Sequence, residues 1–99
     1  VENVFGGLTS MAGARTGPGQ IHDFDRVPSY IGEWSGGMSP RAKAIAAAFT
    51  AAGLETYASA DIRTEIWKKL LGNMTMSAVS GVTNLTSAEI LQLDPLRLR

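Results

Sequence analysis

The hydrophobic pattern changes period along this chain. From Val4 to Ala12 the residues are apolar or small (Val4-Phe5-Gly6-Gly7-Leu8-Thr9-Ser10-Met11-Ala12) and do not alternate, which predicts a buried strand. Thr16-Gly17-Pro18-Gly19 is a dense turn signal. Beyond it, Gln20-Ile21-His22-Asp23-Phe24 alternates weakly, predicting a short strand paired antiparallel across that turn. Ser29-Tyr30-Ile31-Gly32-Glu33-Trp34 is a better strand, because Tyr30 and Ile31 favour the extended state. The period then becomes helical. Ser39 offers a capping hydroxyl and Pro40 needs no amide donor, so a helix opens there and runs to Ala52, with Gly53 as its stop. At about 100° per residue, Ala42, Ile45, Ala46, Phe49 and Ala52 share one face, mostly small enough to lie close on a sheet. Leu54-Glu55-Thr56-Tyr57-Ala58 reads as another strand, and strand, helix, strand in this order predicts an α/β layer.

From Asp61 the pattern is helical throughout. Asp61 caps a long helix from Ile62 to about Val79. Thr83-Asn84-Leu85-Thr86 is a connection. Thr86 or Ser87 caps a last helix containing Glu89, Ile90, Leu91 and Leu93, which Pro95 interrupts. A boundary is expected near residue 60, between an α/β part (1–60) and a helical part (61–99).

The long helix carries the candidate chemistry. With Ile62 at zero on its wheel, Ile66, Leu70, Met74, Ala78 and Leu71 fan from about 40° to about 180°. Lys68 falls at about 240°, on the polar side with Asp61, Thr64 and Glu65. Lys69 falls at about 340°, Asn73 at about 20° and Ser77 at about 60°, along the edge of the apolar arc. Lys68 should therefore be solvated and Lys69 should face inward or into a cleft. The second lysine then has two readings. Its stem lies along a neighbouring element with the charge in water, or it forms a cationic site for an anionic or carbonyl-bearing small molecule, with Asn73 and Ser77 in line.

Composition narrows the classes. The chain has 99 residues, nine Lys plus Arg and nine Asp plus Glu, a balance that argues against a dedicated nucleic-acid or anionic-membrane binder. With no Cys and one His, His22, there is no disulfide scaffold, thiol nucleophile or multi-histidine metal site. His22 is expected on the surface, and Trp34, Trp67, Met74 and Met76 are expected as packing residues. Asp23 and Asp25 find no third ligand at a known metal-site spacing. A cytoplasmic setting is the expectation, since nothing reads as a signal peptide or a membrane span. The chain opens at Val1 within an apolar run and closes on Leu96-Arg97-Leu98-Arg99, so it is expected to be a fragment of a longer protein.

The segment Asp61-Ile62-Arg63 followed by Ile66-Trp67-Lys68-Lys69-Leu70-Leu71-Gly72-Asn73 resembles the start of the C-terminal domain in ketopantoate reductases (2-dehydropantoate 2-reductases), which carry a D-I...W-x-K-L-x-x-N pattern there. Upstream, Gly17-Pro18-Gly19-Gln20-Ile21-His22, then Ile31-Gly32-Glu33, then Ser39-Pro40-Arg41-Ala42 resembles the G-x-I-x-H...I-G-E...S-x-R-A order of the same family. Ala51-Ala52-Gly53-Leu54 also fits, so the likeness is collinear over nearly the whole chain.

The resemblance implies the C-terminal part of an α/β Rossmann-type NADP-binding domain, followed by the first helices of an all-α, 6-phosphogluconate-dehydrogenase-like domain. It implies NADPH as cofactor, a 2-keto acid substrate in the cleft between the domains, and reduction of ketopantoate to pantoate in pantothenate and coenzyme A biosynthesis. By position Lys69 matches the family's catalytic lysine and Asn73 its substrate-binding asparagine. Ser77, expected to bind substrate, stands where many relatives carry a second asparagine, and Asn84 or Ser87 lies near a third family position. No G-x-G-x-x-G loop runs from a strand into a helix here. Two rivals stay open: a related NAD(P)-dependent dehydrogenase acting on another 2-keto or 2-hydroxy acid, and a non-catalytic helical interaction module. A homodimer is also left open.

Overall fold

The computed structural model describes residues 2–25 and 27–93. Pro95 and the closing Leu96-Arg97-Leu98-Arg99 therefore lie outside the described residues, as does Val1. The elements run β1 (Phe5–Leu8), β2 (Ala12–Gly17), β3 (Gln20–Asp25), β4 (Ser29–Glu33), α1 (Pro40–Ala51), β5 (Thr56–Ala58), α2 (Ile62–Thr83) and α3 (Ser87–Gln92). Two compact units result, Val1–Ile66 and Trp67–Arg99, and α2 runs through the division. Among the described residues no helix is long and apolar enough to cross a membrane.

The first unit holds a mixed sheet in the order β1-β4-β5 and a separate β2-β3 hairpin. β1 pairs antiparallel with β4, and β4 pairs parallel with β5 through the α1 crossover, as strand-helix-strand patterning requires. The apolar run from Val4 to Ala12 is not one strand. It divides at Thr9, whose Oγ1 accepts from the Met11 amide at 3.3 Å in a local turn, and the chain leaves the β1 sheet to enter the hairpin. Only Gly6 in that run is buried, so the absence of alternation reflects small residues rather than burial on both faces. The hairpin turns at Pro18-Gly19, where the composition places it.

Side-chain caps set the helix starts. Ser39 Oγ accepts from the Ala42 amide at 3.1 Å, with Pro40 in the first turn. Ala42 and Ala46 are the buried residues of α1, facing the sheet through small side chains, whereas Phe49 of the same face is 45% exposed. Asp61 opens α2: its Oδ1 accepts from the Thr64 amide at 3.2 Å and its Oδ2 from the Thr64 hydroxyl at 2.6 Å. Thr86 caps α3 in a reciprocal box with Glu89. α2 runs past the expected end at Val79 to Thr83. Its β-branched and glycine-containing last turn is a poor helix former, yet it closes on Asn84 at φ 56, whose amide donates to Ser80 O at 2.8 Å.

A carboxylate ties β4 to α1. Glu33, buried at the end of β4, accepts from Ser39 Oγ at 2.6 Å and from Arg41 Nε and Nη2 at 2.7 and 2.8 Å. The same guanidinium donates to Glu2 O at 2.7 Å and stacks over the Phe5 ring at 4.8 Å, drawing the approach to β1 into the lock. Hydrogen bonds from Arg41 first, and from Ser39 second, hold the Glu33 carboxyl down at about 2. A depressed carboxyl contributes stability that is complete above its unfolded value near 4.5 and is lost as pH falls through about 2. In urea titrations across pH, the gap in stability between the wild type and Glu33→Gln should be widest above pH 4.5 and close as pH falls towards 2. A gap independent of pH would contradict the lock.

Candidate active site

Lys69, Asn73 and Ser77 follow one another at intervals of four on α2, so one stripe carries an ammonium, an amide and a hydroxyl about 6 Å apart along the axis. Lys69 is half-buried and its neighbour Lys68 is exposed, the difference that the wheel assigns to the two. Asn73 and Ser77 are exposed. All three therefore lie within the second unit, on a single helix whose regular hydrogen bonding fixes their spacing.

The apolar arc of α2 is covered only at its start. Ile62 is fully buried and Ile66 half-buried, but Leu70, Leu71 and Met74 are 40%, 60% and 60% exposed. Trp67 and Met74, expected as packing residues, are thus surface groups; Met76 is half-buried. The second unit explains this, since the continuation of α2 and the short α3 are its only described elements, and two helices cover little of each other's surface. Trp34 is also half out in solvent, with the Arg63 guanidinium over its ring at 5.5 Å.

Sequence reasoning missed the seat beneath α2. Gly6 and Gly32 stand opposite each other in the β1–β4 register. A Cβ on Gly6 would lie 2.9 Å from Ile62 Cγ2, and one on Gly32 would lie 2.5 Å from Ser59 O and 2.9 Å from Ile62 Cβ. Two side-chain-free positions thus admit the first turn of α2 against the strands. A glycine inside a strand pattern is the available signal for such an approach. The other residues weighed from sequence stand apart: His22 and Asp23 are exposed on β3. Among the described residues no three of His, Cys, Asp and Glu form a group that could hold a metal ion.

The hollows of the first unit have other linings. One of about 260 Å³ is mostly apolar, bounded by Leu8, Tyr30, Ile31, Phe49 and Leu54. A second, of about 560 Å³, lies around Trp34, Glu33 and Arg41, whose charges are already engaged with each other.

No family model matches the chain. A crystal structure assigned to ketopantoate reductase from Ralstonia solanacearum MolK2 superposes with a TM-score of 0.83 at 38% identity, covering 95% of this chain. The 2-dehydropantoate 2-reductases of Mesorhizobium japonicum and Halobacterium salinarum are 34% and 28% identical over 90 and 94 residues. Over most of its length the chain is similar to ketopantoate reductases. It matches as a fragment, spanning 29% of the Ralstonia chain and 28% and 31% of the two curated relatives. The mixed sheet with its helices is shared with the ketopantoate reductase neighbour, so the resemblance read from ordered motifs and the fold agree. Those motifs now have structural content. Glu33, Ser39 and Arg41 form the lock, and Gly32 and Ile62 meet at the seat.

With limiting acetylating reagent, Lys68 should be labelled several-fold faster than Lys69, as read by tandem mass spectrometry of the peptide that contains both. Equal rates would remove the distinction between the two lysines.

Proposed function

We propose that this chain serves the NADPH-dependent reduction of 2-dehydropantoate to pantoate, a step of pantothenate and coenzyme A biosynthesis, with Lys69 as its catalytic residue. The observation that carries this reading is the half-buried Lys69 beside exposed Lys68, on one stripe with Asn73, at the position where ketopantoate reductases carry their lysine and asparagine. In this reading residues 1–60 are the C-terminal part of a Rossmann-type domain and 61–99 open the helical substrate domain. The setting is cytoplasmic.

Hydride reduction of a ketone places negative charge on the carbonyl oxygen. An ammonium held next to that oxygen stabilises the charge and delivers the proton that completes the alcohol. Lys69 takes this part, and its half-buried position strengthens the interaction by thinning the water around it. Asn73, about 6 Å along the axis, has both donors and an acceptor for the carboxylate or hydroxyl of a short 2-keto acid. Ser77, a further turn on, reaches less far with one hydroxyl.

The nicotinamide cofactor supplies the hydride when bound. The residues of this chain do not fit its pyrophosphate: Gly6-Gly7 lie within β1, paired to β4, and not at a strand-to-helix turn. The roles derived for this chain accordingly concern the substrate carbonyl alone.

In the intact enzyme, Lys69→Ala should lower kcat by about 10²- to 10⁴-fold. Lys68→Ala should stay within about fivefold of wild type, since an exposed charge is worth at most about 1 kcal/mol. Equal losses would reject the assignment of Lys69. Ser77 favours one further reading, a related reductase acting on a different 2-keto acid, because a hydroxyl replaces an amide. Ser77→Asn should lower KM for 2-dehydropantoate if that is the substrate. A KM that rises while another 2-keto acid remains the better substrate of the wild type would support the second reading.

A further inference from the structure

β5 bounds one side of the mixed sheet, with β4 lying between it and β1. Along a strand, successive residues turn their backbone groups to alternate sides. Glu55 O accepts from the Ser29 amide at 2.9 Å, and the Ser59 amide donates to Ile31 O at 2.8 Å. Glu55, Tyr57 and Ser59 therefore serve the pairing with β4. Leu54, Thr56 and Ala58 direct their amides and carbonyls the other way, where a further strand would pair. An edge of this kind is a template for any extended chain, a second copy included.

This edge is occupied from within. Thr50 Oγ1, in the last turn of α1, accepts from the Thr56 amide at 3.0 Å and donates to Thr56 O at 3.2 Å. One hydroxyl thus takes both backbone groups that a neighbouring strand would need at the start of β5. The Leu54 amide donates to Phe49 O at 3.0 Å, and Leu54 O accepts from the Thr56 hydroxyl at 2.8 Å. Ala58 is the one outward residue without such a cap among the described residues. A single open position is too little to set the register of a partner strand.

Gly53 brings the two threonines together. Its φ of 93° lies in the left-handed region that glycine adopts without strain. Its amide donates to Thr50 O at 3.0 Å, and with the Leu54 bond to Phe49 O it ends α1 in a Schellman turn. The chain folds back, so that Thr56 is buried against the helix end that carries Thr50. An open hollow of about 570 Å³ runs along this edge between α1 and β5, lined in part by Ala47, Ala51 and Tyr57. The alanines put little bulk in front of the strand, which leaves the Thr50 hydroxyl as its cover.

We propose that Thr50 guards this sheet edge: by holding both backbone groups of Thr56, it keeps β5 from pairing with β5 of a second copy of the chain.

The test compares Thr50→Val with Thr50→Ser in the intact protein, at a temperature where circular dichroism shows both folded. Valine keeps the branched shape and removes the hydroxyl, whereas serine keeps the hydroxyl. In Thr50→Val the Thr56 amide should exchange with deuterium about tenfold faster or more, because its hydrogen bond is gone. Sedimentation velocity should then show a concentration-dependent species of twice the wild-type mass. Thr50→Ser should match the wild type in both measurements. Adding Ala58→Pro to Thr50→Val should restore the wild-type mass, since proline removes the other outward amide and leaves the bonds to β4 in place. A Thr50→Val protein that keeps the wild-type mass at every concentration overturns the inference, whatever its exchange rate. An association that survives Ala58→Pro also overturns it, because it runs through another surface. If Thr50→Val does not fold, the wild type decides. Its Thr56 amide should then be protected about tenfold or more beyond that of Ala58, each against its intrinsic rate, and equal protection overturns the guard.

Discussion

The close approach of Ile62 to two facing glycines is the constraint on which the rest depends. A sheet normally meets a helix through two layers of side chains. Here one layer is missing at Gly6 and Gly32, and the first turn of α2 rests nearly on the strands themselves. Full burial of an isoleucine contributes about 1.5–3 kcal/mol, so the seat is a substantial contact within the first unit.

The lock of Glu33, Ser39 and Arg41 complements the seat from the other face of the sheet. Residues alternate along β4: Gly32 faces α2, while Glu33 reaches the start of α1. Ser39 does two things with one hydroxyl, accepting from the Ala42 amide and donating to Glu33. Arg41 joins that carboxylate to the backbone at Glu2 and to the Phe5 ring. The chain entering β1, the end of β4 and the first turn of α1 are thus tied at one point, and β4, α1 and β5 hold the parallel pairing behind it. Adjacent residues Gly32 and Glu33 therefore serve opposite faces. This gives a physical reason for a glycine followed by an acid at the end of this strand.

What could be read from the sequence was local. Ser39-Pro40, Asp61 and Thr86 each cap a helix through their own side chains, and Thr16-Gly17-Pro18-Gly19 turns the hairpin without help from elsewhere. The wheel of α2 separated Lys68 from Lys69 because 3.6-residue periodicity needs no tertiary information. What escaped was set by distant partners. The run Val4–Ala12 looks like a single strand until one knows that it supplies two sheets. Trp67 and Met74 look like core until the neighbours available to α2 are known. The pairing of Gly6 with Gly32 joins residues twenty-six positions apart, which spacing alone does not reveal. Of the candidate site, the stripe was legible; the glycine seat under the first turn of α2 was not.

Regular α-helix places Lys69 and Asn73 one turn apart on one stripe, and the proposed function gives that pair a carbonyl substrate to meet. The most direct measurement is a crystal structure of the intact protein with an oxidised nicotinamide cofactor and a bound 2-keto acid. The proposed role predicts Lys69 Nζ within about 3.2 Å of the keto oxygen, with Asn73 hydrogen-bonded to the same molecule. A substrate held by other residues, with Lys69 Nζ more than about 5 Å from the keto oxygen and no water bridging them, would contradict it.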